Sequence, residues 1–204
     1  MRVVPVGIMR QYAALEHLNK RYEEYRDMFL LMVYLIGINL VDFSALTKDN
    51  IVGDRLEYRR AKTGHLYSIL LQPEALVIIK KYKGKKHLVR CFDRYKNYKD
   101  YMKHINSAMQ MLGPVKVDTE GKYIYNSMHW HEMDALLPEV TSYWTRYSWA
   151  TYAAELDIPK DTISEALGHE YGSRITGVYI KYNRDKVDET NRKVIDYILY
   201  NKKE

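Results

Sequence analysis

Cysteine and long apolar runs are scarce in this sequence of 204 residues. Cys91 is the single cysteine, so no disulfide can form within the chain, which favours a reducing setting. The first residues lack the apolar core and small-residue cleavage site of a secretory signal. The most apolar run, residues 28–40, is short for a membrane span and contains Gly37 and Asn39. These absences predict a cytoplasmic protein that has no membrane partner.

Positive charge is concentrated in one part of the chain. The formal net charge is +6, yet residues 80–103 contain eight Lys and two Arg against two Asp, a local charge of +8. The rest of the chain therefore sums to 6 − 8 = −2. Such a patch is typical of a surface that binds a polyanion, although a solvated helix and loop would have the same composition. The candidate polyanion-binding lysines are Lys80, Lys81, Lys83, Lys85 and Lys86.

Hydrophobic spacing and turn residues predict a mainly α-helical fold with one small antiparallel sheet, an α+β class, in a single domain over residues 1–204. Two β-rich stretches, 54–60 and 65–71, flank a turn in which Gly64 can adopt a positive φ, and Lys62 lies at the tip of this hairpin. Residues 113–139 have no regular pattern. The predicted helices cover residues 7–20, 21–37, 72–84, 93–112, 141–156, 159–167, 174–182 and 186–200, and the second should be central because it is apolar on nearly all sides.

The stretch TSYWTRYSWAT, residues 141–151, places one charged side chain among hydroxyl, aromatic and small ones. Helical spacing brings Tyr143, Arg146, Tyr147 and Ala150 onto one stripe. Such a stripe is usually core, but arginine is rarely buried without an anion to pair with. We therefore expect a negative group, from the protein or from a ligand, beside Arg146.

The C-terminal half carries a more specific pattern. Residues 141–179 resemble boxes B and C of the tyrosine recombinases, the phage and mobile-element integrase family, with Leu-Gly-His followed by a tyrosine ten residues later. In this resemblance Arg146 falls on the family's second arginine, His169 on the histidine after Leu-Gly, and Tyr179 on the nucleophile.

The N-terminal half is similar to the same family in a second place. Residues 34–51 resemble its box A segment, and Lys62 matches the lysine of its hairpin. Asp42 matches an acidic residue that buttresses the site in relatives. The likeness covers the chain from about residue 4 to the end, with the elements in family order.

Three positions depart from the family pattern. Asn39 stands where the family has its first arginine, Tyr143 where it usually has a histidine, and Tyr147 where the other histidine of box B commonly falls. An uncharged amide cannot replace a guanidinium, which in other phosphoryl-transfer enzymes contributes roughly 10³ to 10⁵ in rate. Either catalysis is slow or absent, or another cation supplies the charge. The candidate cations, which are also candidate DNA contacts, are Arg59, Arg60 and Arg174.

The resemblance implies the tyrosine recombinase catalytic-domain fold, that of the DNA breaking-rejoining enzymes. It implies site-specific DNA recombination or integration by metal-free transesterification through a 3′-phosphotyrosine intermediate. Tyr179 would be the nucleophile, Lys62 would protonate the leaving 5′ oxygen, and Arg146 and His169 would bind the non-bridging oxygens. Tyr143 would donate a hydrogen bond, but a phenol with a reference pKa of about 10 is a poor base at neutral pH. No cofactor is expected.

The same resemblance implies double-stranded DNA as the partner and four protomers at a synapse, with a monomer as the free form. The N-terminal core-binding domain of the family is not present in residues 1–204, and the expected location is the nucleoid of a bacterial cytoplasm, in a bacterial or phage-encoded protein. Residues 186–200 fit packing onto a neighbouring protomer or onto their own domain equally well.

Three other functions stay open. A type IB topoisomerase uses the same chemistry without sequence-specific joining, and a DNA-binding relative without catalysis is favoured by Asn39. A metal-dependent nuclease would need a ligand set, and the stretch HWHEMD contains suitable residue types at His129, His131, Glu132 and Asp134. That stretch is irregular and has no evident distant ligands, so no metal site is predicted.

Overall fold

The computed structural model of the protein describes residues 2–127, 130–168 and 184–201. Within these ranges the chain forms eight α-helices and one three-stranded sheet, which confirms the predicted α+β class. The helices are α1 (Val6–Ala14), α2 (Lys20–Tyr34), α3 (Leu40–Ala45), α4 (Pro73–Lys81), α5 (Tyr98–Met111), α6 (Trp144–Glu155), α7 (Lys160–Ala166) and α8 (Arg184–Tyr200). The strands are β1 (Ile51–Val52), β2 (Arg55–Arg59) and β3 (Leu66–Leu70). Short 3-10 helices cover Lys48–Asn50 and Phe92–Arg94, and the helix predicted at 174–182 lies outside the described residues.

Helix α2 is the centre of the core, as its apolar sequence predicts. The Asn19 side chain caps its first turn by accepting hydrogen bonds from the backbone N–H groups of Arg21 and Tyr22, both at 3.0 Å. Residues 27–34 are all buried, and the helix packs against α4, α5 and α6. Within the described ranges, no helix has both the length and the apolar character needed to cross a bilayer.

The predicted ends of the first two helices are wrong for reasons of backbone conformation. Helix α2 ends at Tyr34 rather than at residue 37, because Ile36 and Gly37 adopt φ values of 58° and 59°. Helix α1 ends at Ala14 rather than at residue 20, because Leu15 is extended with ψ at 129°. Hydrophobic spacing continues past both ends, so the pattern alone overestimates their length.

The predicted hairpin is confirmed. The sheet has the order β1-β2-β3 with antiparallel pairing, and Arg59 pairs with Leu66 at the end of β2 and β3. Two backbone hydrogen bonds close the turn: Arg60 N–H donates to His65 O at 2.9 Å, and Gly64 N–H donates to Arg60 O at 2.8 Å. Gly64 has a φ of 70°, the left-handed conformation expected from the sequence.

Residues 113–127 and 130–139 are more ordered than their sequence predicts. Isolated antiparallel bridges pair parts of this stretch with one another. The sequence gives no sign of them, because it has no alternation of apolar and polar residues here. The bridges join Val115 to Met133, Val117 to Tyr123 and Tyr125 to His131.

The C-terminal helix α8 packs onto its own domain, one of the two arrangements left open by its sequence. Its side chains Val194, Ile195 and Ile198 have no exposed surface. Asn191 donates to the backbone carbonyl of Tyr34 at 2.9 Å and accepts from Trp149 Nε1 at 2.9 Å, so α8 ties α2 to α6. The tail is therefore a structural part of this chain.

Gly37 allows α6 to approach the end of α2. A Cβ atom at Gly37 would lie 2.4 Å from the Cα of Arg146 and 2.9 Å from its Cβ, and Gly37 has a φ of 59°. A side chain is therefore excluded both by the neighbouring backbone and by the left-handed conformation. Gly53, in the turn between β1 and β2, has a similar φ of 63° but nothing within 4 Å of its Cβ position.

We expect Gly37→Ala to lower the free energy of unfolding by about 2–5 kcal/mol, the sum of left-handed strain and overpacking. Gly53→Ala is the matched control and should cost only about 1–2 kcal/mol, the strain alone. Urea unfolding followed by circular dichroism measures both. Equal losses in the two variants would contradict the close packing of Gly37 on α6.

Candidate functional site

A cavity of about 300 Å³ opens where the start of α3, the β2–β3 turn and the start of α6 meet. These three segments are far apart in sequence, and the fold brings them to one place. Helix α5 closes the remaining side with Tyr98 and Met102. The polar and charged lining residues are Asn39, Asp42, Arg60, Lys62, Ser142, Tyr143, Thr145 and Arg146. Every predicted site residue of the described chain that belongs to the family pattern lines this cavity, except Tyr147.

Arg146 is the buried cation of the cavity, with 7% of its surface exposed. Its Nη1 donates to the carbonyl oxygen of Gly37 at 3.3 Å, and its Nη2 donates to the carbonyl oxygen of Leu167. Within the described ranges it forms no salt bridge. Carbonyl groups satisfy hydrogen bonds but leave the charge in place, and a buried charge without a counterion is costly. The one acidic residue of the cavity lining, Asp42, forms no salt bridge with Arg146 and is hydrogen-bonded to the backbone of the hairpin turn instead. The lining therefore has a net positive charge, which is suited to an anionic ligand.

The position of Arg146 depends on a contact between α6, α7 and the sheet. The carbonyl of Leu167, at the end of α7, also accepts a hydrogen bond from the Tyr67 hydroxyl. The Tyr67 ring stacks on Tyr58, with ring centres 5.1 Å apart and planes at 8°. The sheet therefore fixes the carbonyl that orients the guanidinium.

Asp42 anchors the hairpin turn to α3. Its buried carboxylate Oδ1 accepts a hydrogen bond from the backbone N–H of Ala61 at 2.8 Å. Ala61 lies between Arg60 and Lys62, so this bond fixes the part of the turn that carries both cations. The buttressing role that the resemblance implies for Asp42 stays a prediction.

The charges of the site surround the buried hydroxyl of Tyr58. Burial raises the pKa of Tyr58 well above its usual value, and the nearby hydroxyl of Tyr67 and carboxylate of Asp42 raise it further. Arg146 and Arg60 act in the opposite direction and lower this pKa. The pKa of Tyr58 therefore depends on the Asp42 carboxylate and on both guanidiniums.

Asn39 and Tyr143, the two departures from the family pattern at the cavity, are both available to a ligand. Asn39 is half-buried at the N-cap position of α3, but its side chain makes no capping hydrogen bond. Tyr143 precedes α6 and is 47% exposed. Its ring is edge-on to the ring of Tyr147, and the two ring centres are 5.2 Å apart. Tyr147 lies outside the cavity lining and contributes only this ring contact.

A basic groove continues from the cavity. It is about 580 Å³ in volume and shares Tyr98 with the cavity, and its cationic wall contains Lys85, Lys86 and Lys96. Asp93 holds the loop in place by accepting backbone hydrogen bonds from residues 85, 86 and 87 at 2.6, 3.2 and 2.9 Å. These bonds, led by the one from residue 87, hold the pKa of Asp93 well below its usual range.

The other predicted basic residues lie elsewhere. Lys81 binds carboxylates of α2, at 2.8 Å from both Glu23 Oε1 and Asp27 Oδ2, so its charge is already neutralised. Lys80 and Lys83 are exposed but line neither the cavity nor the groove. Arg59 is exposed and donates to the Gly64 carbonyl at 3.2 Å, outside the cavity lining.

Sequence reasoning missed several residues of this region. Ser142, Thr145 and Tyr98 line the cavity, and Lys96 lines the groove. Lys96 could have been found, since it belongs to the basic run and precedes Asn97, whose side chain caps α5. Hydroxyl side chains carry no such signal.

Three predicted residues, His169, Arg174 and Tyr179, lie outside the described residues, as does His129 of the HWHEMD stretch. In the described part of that stretch, the His131 ring nitrogens lie 3.0 Å from the His17 carbonyl oxygen and 3.1 Å from the Tyr125 hydroxyl. Over residues 2–127, 130–168 and 184–201, no cluster of three potential ligands for a metal ion occurs.

Comparison with known proteins adds no assignment to this geometry. No protein-family model matches the chain, and no curated protein matches it.

We expect Asp42→Ala to lower the free energy of unfolding by about 1–3 kcal/mol, because the Ala61 N–H loses its partner. Asp42→Asn retains an oxygen at the same place and should keep most of that stability. Urea unfolding and hydrogen exchange of the Ala61 amide measure the two effects. If Asp42→Asn is as unstable as Asp42→Ala and exchanges as fast, the hydrogen bond is not what anchors the turn.

Proposed function

We propose that the protein breaks and rejoins DNA strands as a site-specific tyrosine recombinase or integrase, through metal-free transesterification. The observation that supports this proposal most is the buried guanidinium of Arg146, which has no counterion in the described chain and opens on a cavity that also contains Lys62. A backbone phosphate is an anion of suitable charge for this cavity, and a guanidinium can bind two of its oxygens. The sequence resemblance assigns these same two residues to the scissile phosphate.

In the proposed reaction the phenol oxygen of Tyr179 bonds to phosphorus, and the bond from phosphorus to the 5′ oxygen breaks. Lys62 gives a proton to that 5′ oxygen, while Arg146 and His169 stabilise the charge on the non-bridging oxygens. The phenol loses one proton and the 5′ hydroxyl gains one, so the step is balanced. The phosphotyrosine bond retains the energy for the reverse attack by a 5′ hydroxyl.

The basic groove supports duplex DNA as the substrate. Lys85, Lys86 and Lys96 lie beside the cavity on an exposed surface, and a strand whose phosphate enters the cavity would have its next phosphates near this wall. The recombinase catalytic-domain fold, the tetramer at a synapse and a nucleoid location follow from the same proposal.

One observation favours a second candidate, a DNA-binding relative without catalysis. Asn39 lines the cavity with an uncharged amide where the family pattern has an arginine. Such a protein would bind DNA with a strong salt dependence and form no covalent product.

We expect the protein to form a covalent adduct with a nicked suicide duplex in the presence of EDTA, and Tyr179→Phe to form none. The reason is that a tyrosine ester needs no metal, whereas a metal-dependent nuclease loses cleavage with the chelator. Denaturing gels with labelled DNA measure the adduct. Wild type that behaves like Tyr179→Phe, while still binding the duplex, would contradict strand transfer and favour the binding module.

We expect Lys86→Ala to weaken DNA binding and to reduce the slope of log affinity against log salt by about 1, the loss of one phosphate contact. Lys81→Ala removes an equal charge from the same basic run, but its ammonium is bound to α2 carboxylates, so the slope should not change. Fluorescence anisotropy at several salt concentrations measures both slopes. If Lys81→Ala reduces the slope and Lys86→Ala does not, the DNA lies on the α4 side instead of in the groove.

A further inference from the structure

The proposed site lacks one of its expected cations. Asn39 contributes an amide to the cavity, and an amide cannot offset the negative charge of a phosphate. Fixed positive groups around a phosphoryl transition state are worth several orders of magnitude in rate. A working site therefore requires a second guanidinium from elsewhere in the chain.

The hairpin offers two neighbouring arginines, and the structure separates them. Arg59 is the last residue of β2, and Arg60 is the first residue after it. Arg59 is exposed, donates to the Gly64 carbonyl at 3.2 Å and does not line the cavity. Arg60 is half-buried and lines it together with Arg146 and Lys62.

The side chain of Arg60 has no partner in the described chain. Its Nε atom is buried and makes no hydrogen bond. Arg192 also has a buried Nε without a partner, but its two terminal nitrogens bind Glu74 and Asp196. No such contact satisfies Arg60 among the described residues. A buried donor left unsatisfied is costly unless a ligand completes it.

The backbone around Arg60 is rigid. Its N–H donates to His65 O at 2.9 Å, its carbonyl accepts from Gly64 N–H at 2.8 Å, and the next residue, Ala61, is bound to Asp42 at 2.8 Å. These bonds fix the backbone position from which the Arg60 side chain extends.

The charge of the lining suits a phosphate. Arg60, Lys62 and Arg146 supply three positive charges and Asp42 one negative charge, so the net charge is 3 − 1 = +2. A phosphodiester carries a single negative charge, and a phosphorane-like transition state carries about two. Without Arg60 the net charge would be +1.

We propose that Arg60 is the second guanidinium of the phosphate site and supplies the charge that Asn39 lacks. Its terminal N–H groups donate to the non-bridging oxygens from the hairpin side, while Arg146 donates from the α6 side. The part of this inference that concerns DNA cleavage rests on the proposed function, whereas anion binding by Arg60 does not.

The first test is a titration of the intact chain with inorganic phosphate, followed by NMR of the arginine Nε–H signals. The Arg60 signal is assigned by its absence in Arg60→Lys and should shift with added phosphate. We expect Arg60→Ala to weaken phosphate binding about tenfold or more, the loss of a charge-assisted hydrogen bond. Lys48→Ala removes an exposed cation that lines no described cavity, and it should leave the affinity unchanged.

The competing arginine is tested in the same titration. If Arg59→Ala weakens phosphate binding while Arg60→Ala does not, or if the Arg60 signal does not respond to phosphate, the inference is overturned. Should Arg60→Ala fail to fold, Arg60→Gln removes the charge with a side chain of similar polarity, and the wild-type Arg60 signal alone still decides.

The second test uses the nicked duplex. We expect Arg60→Ala to form adduct about 10²-fold more slowly or worse, and Asn39→Arg in the same chain to recover part of that loss. Equal rates in wild type and Arg60→Ala would refute the role of Arg60 and leave strand transfer intact. If wild type forms no adduct, the proposed function fails, and the phosphate titration still tests Arg60.

Discussion

The site depends on how the buried guanidinium of Arg146 is held. Two backbone carbonyls, from Gly37 and Leu167, orient it and satisfy its hydrogen bonds, yet neither removes its charge. The rest of the fold maintains this arrangement: a left-handed glycine lets α6 approach α2, and Tyr67 of the sheet shares the Leu167 carbonyl. The protein therefore keeps a desolvated cation ready for an anion, and the energetic cost is met by the packing of the core.

The other charges are held in place by a single carboxylate. Asp42 reaches from α3 to the backbone of the hairpin turn and fixes the segment on which Arg60 and Lys62 lie. It also lowers the net positive charge of the cavity lining, which reduces the repulsion between the three cations. Helix α8 stabilises the same region from behind, because Asn191 joins α2 to α6. Removal of any of these contacts should alter the site without changing a residue of the cavity lining other than Asp42.

Local sequence signals predicted a large part of this structure. Alternating apolar residues around Gly64 predicted the hairpin, and the arginine within the TSYWTRYSWAT stretch predicted a buried cation. Non-local contacts were out of reach of such signals. The pairing of Lys81 with Glu23 and Asp27 joins residues more than fifty positions apart. The sequence around Lys81 therefore contains no signal that predicts it.

The choice between the two arginines of the hairpin shows the same limit. Strand alternation predicts that Arg59 and Arg60 point to opposite faces, but the sequence does not say which face meets α3 and α6. Only the three-dimensional structure shows that Arg60, and not Arg59, lines the cavity. The bridges at residues 115–125 and 131–133 are a further case, since they join residues without a regular alternation of apolar and polar side chains.

The central claim is that this cavity binds a backbone phosphate of DNA. The most direct measurement is a structure of the protein bound to a short nicked duplex. We expect a phosphate in the cavity, with its non-bridging oxygens about 2.7–3.0 Å from guanidinium nitrogens of Arg146 and Arg60. A complex in which the duplex lies on another surface and these guanidiniums contact no phosphate would contradict it.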